Sequence, residues 1–145
     1  MTYDEFVTEY HNVAALVFQF SEKARKEGLL SMEDIINRER MKQRDILEYG
    51  LRFVVDGTDS SLIDKILSNI IMQEDDKYTR QLMMVKKEAV LSIQAGENTR
   101  IIAYKINSLT NISLEDDPIT REMMKENDEG TLSPDEIDSL IGRIQ

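Results

Sequence analysis

The sequence predicts an all-α protein: a small helical bundle, then a disordered acidic linker and a short C-terminal helix. Along the first 112 residues, apolar side chains recur at three- and four-residue steps, the period of a helix with one buried face. No stretch alternates between apolar and polar residues as a half-buried β-strand does. We therefore expect a helical domain over residues 1–112, an acidic flexible linker over 113–131 and a peptide helix over 132–145.

The first helix is predicted over residues 3–27, whose apolar residues form one stripe. Its last turn is basic, and the negative end of the helix dipole favours cations there. Gly28 then ends the helix, because glycine readily adopts the left-handed conformation common after a helix C-terminus. His11 is the only histidine and has no partner at metal-binding spacing, so we expect an ordinary surface or half-buried side chain.

A short second helix is predicted over residues 32–38. Ser31 stands where an N-cap side chain accepts a backbone N–H, and Asp34 stands at the position of the reciprocal acid in a capping box. Ile35 and Ile36 are expected to face inward.

The basic run over residues 38–44 is interpreted as a mobile connection or as a solvated helix face. A third helix is predicted over residues 45–55. Gly57 supplies the turn after it, and either Thr58 or Asp59 caps the next helix.

The fourth helix has doubled apolar positions, which suit the middle of a bundle: Leu62 and Ile63, Ile66 and Leu67, Ile70 and Ile71. Residues 74–77 form either a bend or part of a helix that continues to Ile93. Gly96 ends that element, and Asn98 is predicted to cap a closing helix.

The chain from Ser113 onward has ten acidic and three basic residues, a net charge of −7 within the total of −10. Pro118, the many acids and the few large apolar groups predict the flexible linker. Ser133 as N-cap, Pro134 at the first helical position and Glu136 two positions later then predict a helix start.

This last helix has a single apolar stripe, formed by Ile137, Leu140, Ile141 and Ile144. An isolated helix of this length is only marginally stable in water, so its stripe requires a surface to pack against. That surface belongs either to another protein, which the helix binds in a groove, or to the body of this chain.

Several classes of function are disfavoured by composition. The chain has no cysteine, which excludes a disulfide framework and a thiolate metal site. Its longest apolar run, residues 13–18, is far shorter than the roughly 20 residues that span a bilayer. We therefore expect a cytoplasmic protein without direct membrane insertion. The acidic tail on a nearly neutral body argues against nucleic acid as a partner and favours a basic protein surface.

No arrangement of nucleophile and base, and no phosphate-binding glycine loop, is visible in the sequence. Asp56, Asp59 and Asp64 are close together but lack the spacing of a calcium loop. We expect no catalytic residues, no metal site, no cofactor and no enzymatic activity.

Three stretches resemble the cytoplasmic region of MotA, the flagellar stator subunit. They are residues 24–33 (ARKEGLLSME), residues 51–59 (LRFVVDGTD) and residues 89–98 (AVLSIQAGEN), followed by Ile101 and Ile102. They occur in the order of that family, but the transmembrane helices that separate the second stretch from the third are missing. The resemblance implies a MotA-like cytoplasmic domain that does not conduct ions.

In the MotA family, an arginine and a glutamate at this corner face oppositely charged residues on the rotor protein FliG. The matching residues of this chain are Arg25 and Glu33. The resemblance therefore implies that they bind a FliG-like rotor protein. Their simpler interpretation is that they are dipole and capping charges.

The C-terminal segment resembles the N-terminal peptide of FliM, the flagellar switch protein that binds phosphorylated CheY. The matching residues are Leu132, Ser133, Glu136, Ile137, Asp138, Leu140 and Ile141. This resemblance implies that the segment binds the response regulator CheY.

Together the two resemblances suggest a non-enzymatic adaptor at the base of the flagellar motor. Its MotA-like body would contact the rotor, and its C-terminal helix would bind activated CheY. The alternative is a structural scaffold, or a regulator of stator docking with stator subunits as partners, whose tail binds a subunit of its own complex.

Overall fold

The structure, a computed structural model, describes residues 1–126 and three isolated positions, Asp135, Asp138 and Ser139, which are helical and exposed. The α-helices are α1 (Tyr3–Glu27), α2 (Arg38–Lys42), α3 (Ile46–Val55), α4 (Ser60–Ile71), α5 (Lys77–Gln94), α6 (Thr99–Asn107) and α7 (Pro118–Glu126). Two 3-10 helices cover Leu29–Ile35 and Leu114–Asp116. The described residues contain no β-strand, so the predicted all-α class is confirmed.

The helix α1 lies at the centre of the bundle and has the predicted bounds. The Oγ1 atom of Thr2 accepts the backbone N–H of Glu5 at 3.1 Å, which completes a capping box. The helix packs against α5, α6, α7 and the first 3-10 helix. Its buried face consists of Phe6, Tyr10, Val13, Ala14, Val17, Phe20 and Ser21.

The corner after α1 differs from the prediction. Gly28 has a φ of 90°, and its N–H bonds to the carbonyl of Ala24 at 2.9 Å. Ser31 does not cap a helix, because its Oγ donates to the carbonyl of Gly28 at 2.6 Å. The carbonyl of Gly28 also accepts the backbone N–H of Ser31 at 3.2 Å, so both donors of Ser31 turn back towards Gly28. The predicted capping box with Asp34 is therefore wrong.

The 3-10 winding of Leu29–Ile35 also changes which side chains face inward. Met32 is fully buried, whereas Ile35 is 43% exposed and Ile36 only partly buried. A 3-10 helix has about three residues per turn, so the inward positions predicted for an α-helix do not apply. The α-helix begins later, at α2, and none of its residues is buried, as expected of a solvated helix face.

The helices α3 to α5 follow the sequence closely. Asp45 caps α3 and Asp59, rather than Thr58, caps α4. The chain leaves the helix after α4, and the side chain of Asp76 starts α5 by accepting the N–H of Thr79 at 2.9 Å. Of the two predicted alternatives for residues 74–77, the bend is the correct one.

The helix α3 packs closely against α4 and α5 at Gly50. A Cβ atom placed there would lie 2.8 Å from Cγ2 of Val90 on α5 and 3.1 Å from Cδ1 of Leu67 on α4. Only a residue without a side chain allows α3 to pack this closely against both helices.

The predicted flexible linker is wrong over residues 113–126. This stretch forms the second 3-10 helix and α7, and α7 packs against α6 and α1. Met123 belongs to the hydrophobic core, and Ile119 and Met124 pack against it, so a few well-placed apolar groups suffice to bury one face of an acidic segment. Residues 127–131 of the predicted linker lie outside the described residues.

A buried polar cluster holds the start of α7 in place. The carboxylate of Asp117, which is fully buried, accepts the backbone N–H of Thr120 at 3.0 Å and Nδ2 of Asn107 at 3.1 Å. The hydroxyls of Tyr10 and Thr120 are 3.0 Å apart, and burial raises the pKa of Tyr10. His11, half-buried as predicted, has Nε2 4.0 Å from Oδ1 of Asp117.

Candidate protein-binding surface

Charged and apolar side chains are exposed together at the corner that follows α1. Leu30 is 71% exposed and Ile35 is 43% exposed, and Arg25 and Glu33 are exposed beside them in sequence. We call the exposed side chains of residues 25–36 the corner surface. Large exposed apolar side chains next to charges are typical of protein-binding surfaces.

Arg25 lies in the last turn of α1, as predicted. It borders a hollow of about 330 Å³ between the end of α1 and the end of α5, together with Leu29, Gln94 and Gly96. Its position at the C-terminus of a helix is favourable for a cation.

Glu33 lies in the first 3-10 helix and faces a different hollow. Its Oε1 is 3.4 Å from Nη1 of Arg52, whose Nη2 is 3.2 Å from Oδ1 of Asp56. The two predicted rotor-binding residues therefore share the corner surface but have separate surroundings. Neither the MotA resemblance nor the helical pattern pointed to Arg52 as the partner of Glu33.

The hollow beside Glu33 is a groove with a volume of about 440 Å³. We call it the basic groove, and its lining consists of Glu33, Ile36, Arg38, Met41, Lys42 and Arg52. The lining has three cations and one anion, and two of the cations also pair with acids at its edge: Lys42 with Glu39 at 3.3 Å and Arg52 with Asp56 at 3.2 Å. Sequence reasoning treated Arg38 and Lys42 as parts of a connection, and the basic composition of residues 38–44 was the only signal of this groove.

A buried carboxylate positions one wall of the basic groove. Glu48 is 3% exposed, and its Oε2 accepts the backbone N–H of Asn37, the N-cap of α2, at 2.7 Å. Its Oε1 is 3.9 Å from Nη1 of Arg40. Burial raises the pKa of Glu48, and the neighbouring carboxylate of Asp45 acts in the same direction.

This raised pKa predicts a pH dependence of stability. In the folded protein Glu48 holds its proton to higher pH than in the unfolded chain, so its stabilising contribution is present below the unfolded pKa and lost as pH rises through the folded pKa. The variant Glu48→Gln keeps an oxygen that accepts the N–H of Asn37. Compared with the wild type, this variant should therefore be more stable near pH 7 than near pH 4. Urea titrations at the two pH values measure the difference in the free energy of unfolding between the variant and the wild type.

The matched control is Glu39→Gln, an exposed glutamate on α2. Its effect on the free energy of unfolding should change much less between the two pH values, since an exposed ion pair contributes little. Equal pH dependence of the two variants would contradict the role given to Glu48.

The three MotA-like stretches, which are far apart in sequence, meet at this end of the bundle. Glu33 of the first contacts Arg52 of the second. Gln94 of the third donates from Nε2 to the carbonyl of Thr58 of the second at 2.7 Å. Arg25 of the first lines the same hollow as Gln94. The fold thus brings all three stretches together beside the corner surface.

The residues predicted to bind CheY lie outside the described residues, except Asp138. Asp138 is helical and exposed. One predicted site therefore lies among the described residues, whereas nearly all of the other lies outside them.

Within the part of the chain that the structure describes, no group of three or more histidine, aspartate or glutamate side chains could hold a metal ion. None of the described helices combines the length and apolar character needed to cross a membrane. No protein-family model, curated protein or solved structure matches the chain. The resemblances to MotA and FliM therefore rest on the motifs themselves.

Proposed function

We propose that this protein is a non-enzymatic adaptor of the flagellar motor that contacts the rotor protein FliG through the corner surface. The meeting of the three MotA-like stretches beside that surface supports the proposal most strongly. If the three stretches form one functional surface, they should contact one another in the fold, and they do. Exposed apolar groups would supply contact area, and the flanking charges would set orientation and rate of encounter.

Arg25 is a suitable charge for a test. It is exposed in the last turn of α1 and does not belong to the buried face of that helix, so a change of its charge leaves the core packing of α1 intact.

The variant Arg25→Glu is expected to raise the Kd for FliG about tenfold, which corresponds to about 1.4 kcal/mol. Most of that change should lie in the association rate and should shrink at high salt, because charges at the rim of an interface act mainly on encounter. Surface plasmon resonance with immobilised FliG measures both quantities.

The control is Lys65→Glu, which makes the same change of charge at an exposed position of α4. It should leave the Kd within about twofold of the wild-type value, because only long-range electrostatics would change. Thermal unfolding verifies that both variants are folded. Equal loss of affinity in the two variants, or none in Arg25→Glu, would remove the proposed rotor contact.

The same proposal assigns the segment 132–145 to activated CheY, with Ile137 and Leu140 as anchors of a helix that docks in a groove. The full chain should bind CheY more tightly when CheY carries a phosphoryl mimic, and a chain that ends at residue 130 should not bind. Isothermal titration calorimetry with both chains measures the difference. Equal affinity for CheY with and without the phosphoryl mimic would refute the link to chemotaxis.

The scaffold alternative predicts a different loss for the shortened chain, namely assembly at the motor rather than CheY binding. If the tail binds a subunit of its own motor complex, deleting residues 131–145 should abolish assembly at the motor while the full chain shows no affinity for CheY. The exposed Leu30 and Ile35 fit this alternative as well, since a scaffold also requires an apolar contact area.

A further inference from the structure

The basic groove is unusual for so acidic a protein. Residues 38–44 contain four of the 18 basic residues of the chain and a single acid. Arg38 and Lys42 line the groove with Arg52. The partly buried Ile36 and Met41 are the apolar part of the same lining, and we call them the apolar floor. A groove of this kind fits an amphipathic helix that has acids beside an apolar stripe.

The chain itself contains a segment of this description. Residues 127–145 have five acidic residues and one basic residue. The predicted helix within this segment has an apolar stripe formed by Ile137, Leu140, Ile141 and Ile144. The stripe would cover the apolar floor while the acids reach the cations at the rim, and a helix this short requires such a surface to remain folded.

The course of α7 directs this segment towards the corner. The helix starts beside Tyr10 of α1, where Thr120 contacts the tyrosine hydroxyl. Further along, Lys125 lines a hollow with Arg100 at the start of α6. That end of α6 lies against the later part of α1, because the hydroxyls of Thr99 and Ser21 are 2.9 Å apart. The chain therefore leaves α7 on the side of the bundle where α1 ends.

The connection is long enough to carry the segment along the last turns of α1. The stretch from Ser21 to the end of α1 measures only about 9 Å along the helix axis. Residues 127–131 span up to about 17 Å when extended, and a helix over 132–145 adds about 20 Å.

We propose that the acidic C-terminal segment 132–145 docks in the basic groove of its own chain. The docked helix covers Glu33 and part of the corner surface. It thereby competes with any partner of that surface and with any partner of the segment itself. This inference goes beyond the proposed function and holds whether or not the protein binds FliG or CheY.

The absence of cysteine from the sequence allows a direct test by disulfide trapping in the full chain. The trapping variant combines Met41→Cys, in the groove, with Leu140→Cys, in the apolar stripe. The control combines Ile101→Cys with Leu140→Cys. Ile101 is 43% exposed and adjoins Arg100, near the end of α7, so an undocked segment would meet it at least as often as it meets Met41.

At low protein concentration under mild oxidation, we expect the Met41→Cys pair to form an intramolecular disulfide at least about fivefold faster than the Ile101→Cys pair. Adding Arg38→Glu and Lys42→Glu should reduce that rate to the control value. About 0.5 M salt should have the same effect without any further substitution. Non-reducing electrophoresis and mass spectrometry follow the products.

Three results would overturn the inference. The first is a rate for the Ile101→Cys pair equal to or above that of the Met41→Cys pair. The second is a Met41→Cys rate that neither salt nor charge reversal changes. The third is a product that links two chains, which would assign the groove to a second copy of the protein. Circular dichroism of each variant confirms that the bundle is intact.

Discussion

The variant Asp117→Ala should lower the free energy of unfolding by about 3 kcal/mol. Loss of the N-cap of α7 contributes about 1 kcal/mol, because the N–H of Thr120 loses its acceptor. The amide of Asn107 also loses a buried acceptor, and an unsatisfied buried donor costs about 1–3 kcal/mol. Urea unfolding followed by circular dichroism measures the change.

The control is Asp116→Ala, which removes the neighbouring, exposed carboxylate. It loses only an exposed hydrogen bond from Ser113 and should cost less than about 0.5 kcal/mol. A cost equal to that of Asp117→Ala would show that general acidity, rather than the buried cluster, holds this segment.

The variant Asp117→Asn should fall between the two. Its side-chain oxygen can still cap Thr120, but its NH₂ group then faces the NH₂ group of Asn107. Reversing the amide of Asn107 would sacrifice its bond to the carbonyl of Ile112, which is 3.1 Å long. Trypsin provides a local readout, because loosening of α7 should accelerate cleavage after Arg121 before the rest of the bundle is attacked.

The variant Gly50→Ala should also destabilise the protein, by about 1–2 kcal/mol. Overpacking a tight core lowers the free energy of unfolding by about 1–3 kcal/mol. The better helix propensity of alanine raises it by about 0.5–1 kcal/mol, which offsets part of that loss. The Cβ would stand 2.8 Å from Cγ2 and 3.0 Å from Cγ1 of Val90, and neither γ-carbon of a branched side chain can move without displacing its neighbours. Thermal unfolding should therefore show a lower Tm.

A double-mutant cycle with Val90→Ala isolates this contact. In a protein that already carries Val90→Ala, both γ-carbons are absent, so adding Gly50→Ala should cost little or become neutral. The coupling energy should be at least about 1 kcal/mol in favour of the double variant. Additive effects would mean that Leu67, at 3.1 Å, or the backbone sets the limit instead.

The sequence alone predicted α1, α3 and α4 and the capping role of Asn98. Such signals act over three or four residues: Asp59 binds the N–H of Ser61, and Asn98 binds that of Ile101. Such a hydrogen bond joins near neighbours in sequence, so the pattern of residues can reveal it. Ser31 is the exception, because its hydroxyl donates to the carbonyl of Gly28 instead.

The candidate site was predicted less completely. Arg25 and Glu33 were placed correctly on an exposed corner, but the partner of Glu33 and the walls of the basic groove were missed. Arg52 is 19 residues away from Glu33, and no local period connects the two. Whether these residues bind FliG stays a prediction.

What the sequence determined by itself was the helical class, the starts of α1, α3, α4 and α6, and the acidity of the C-terminal part. The tertiary structure decided that Ser31 folds back onto Gly28 and that residues 118–126 form a helix instead of a linker. The second outcome depends on contacts such as the one between Tyr10 and Thr120, which are 110 residues apart. Burial of a polar group becomes favourable only when its partner is already in place, and that condition belongs to the whole fold rather than to any single stretch.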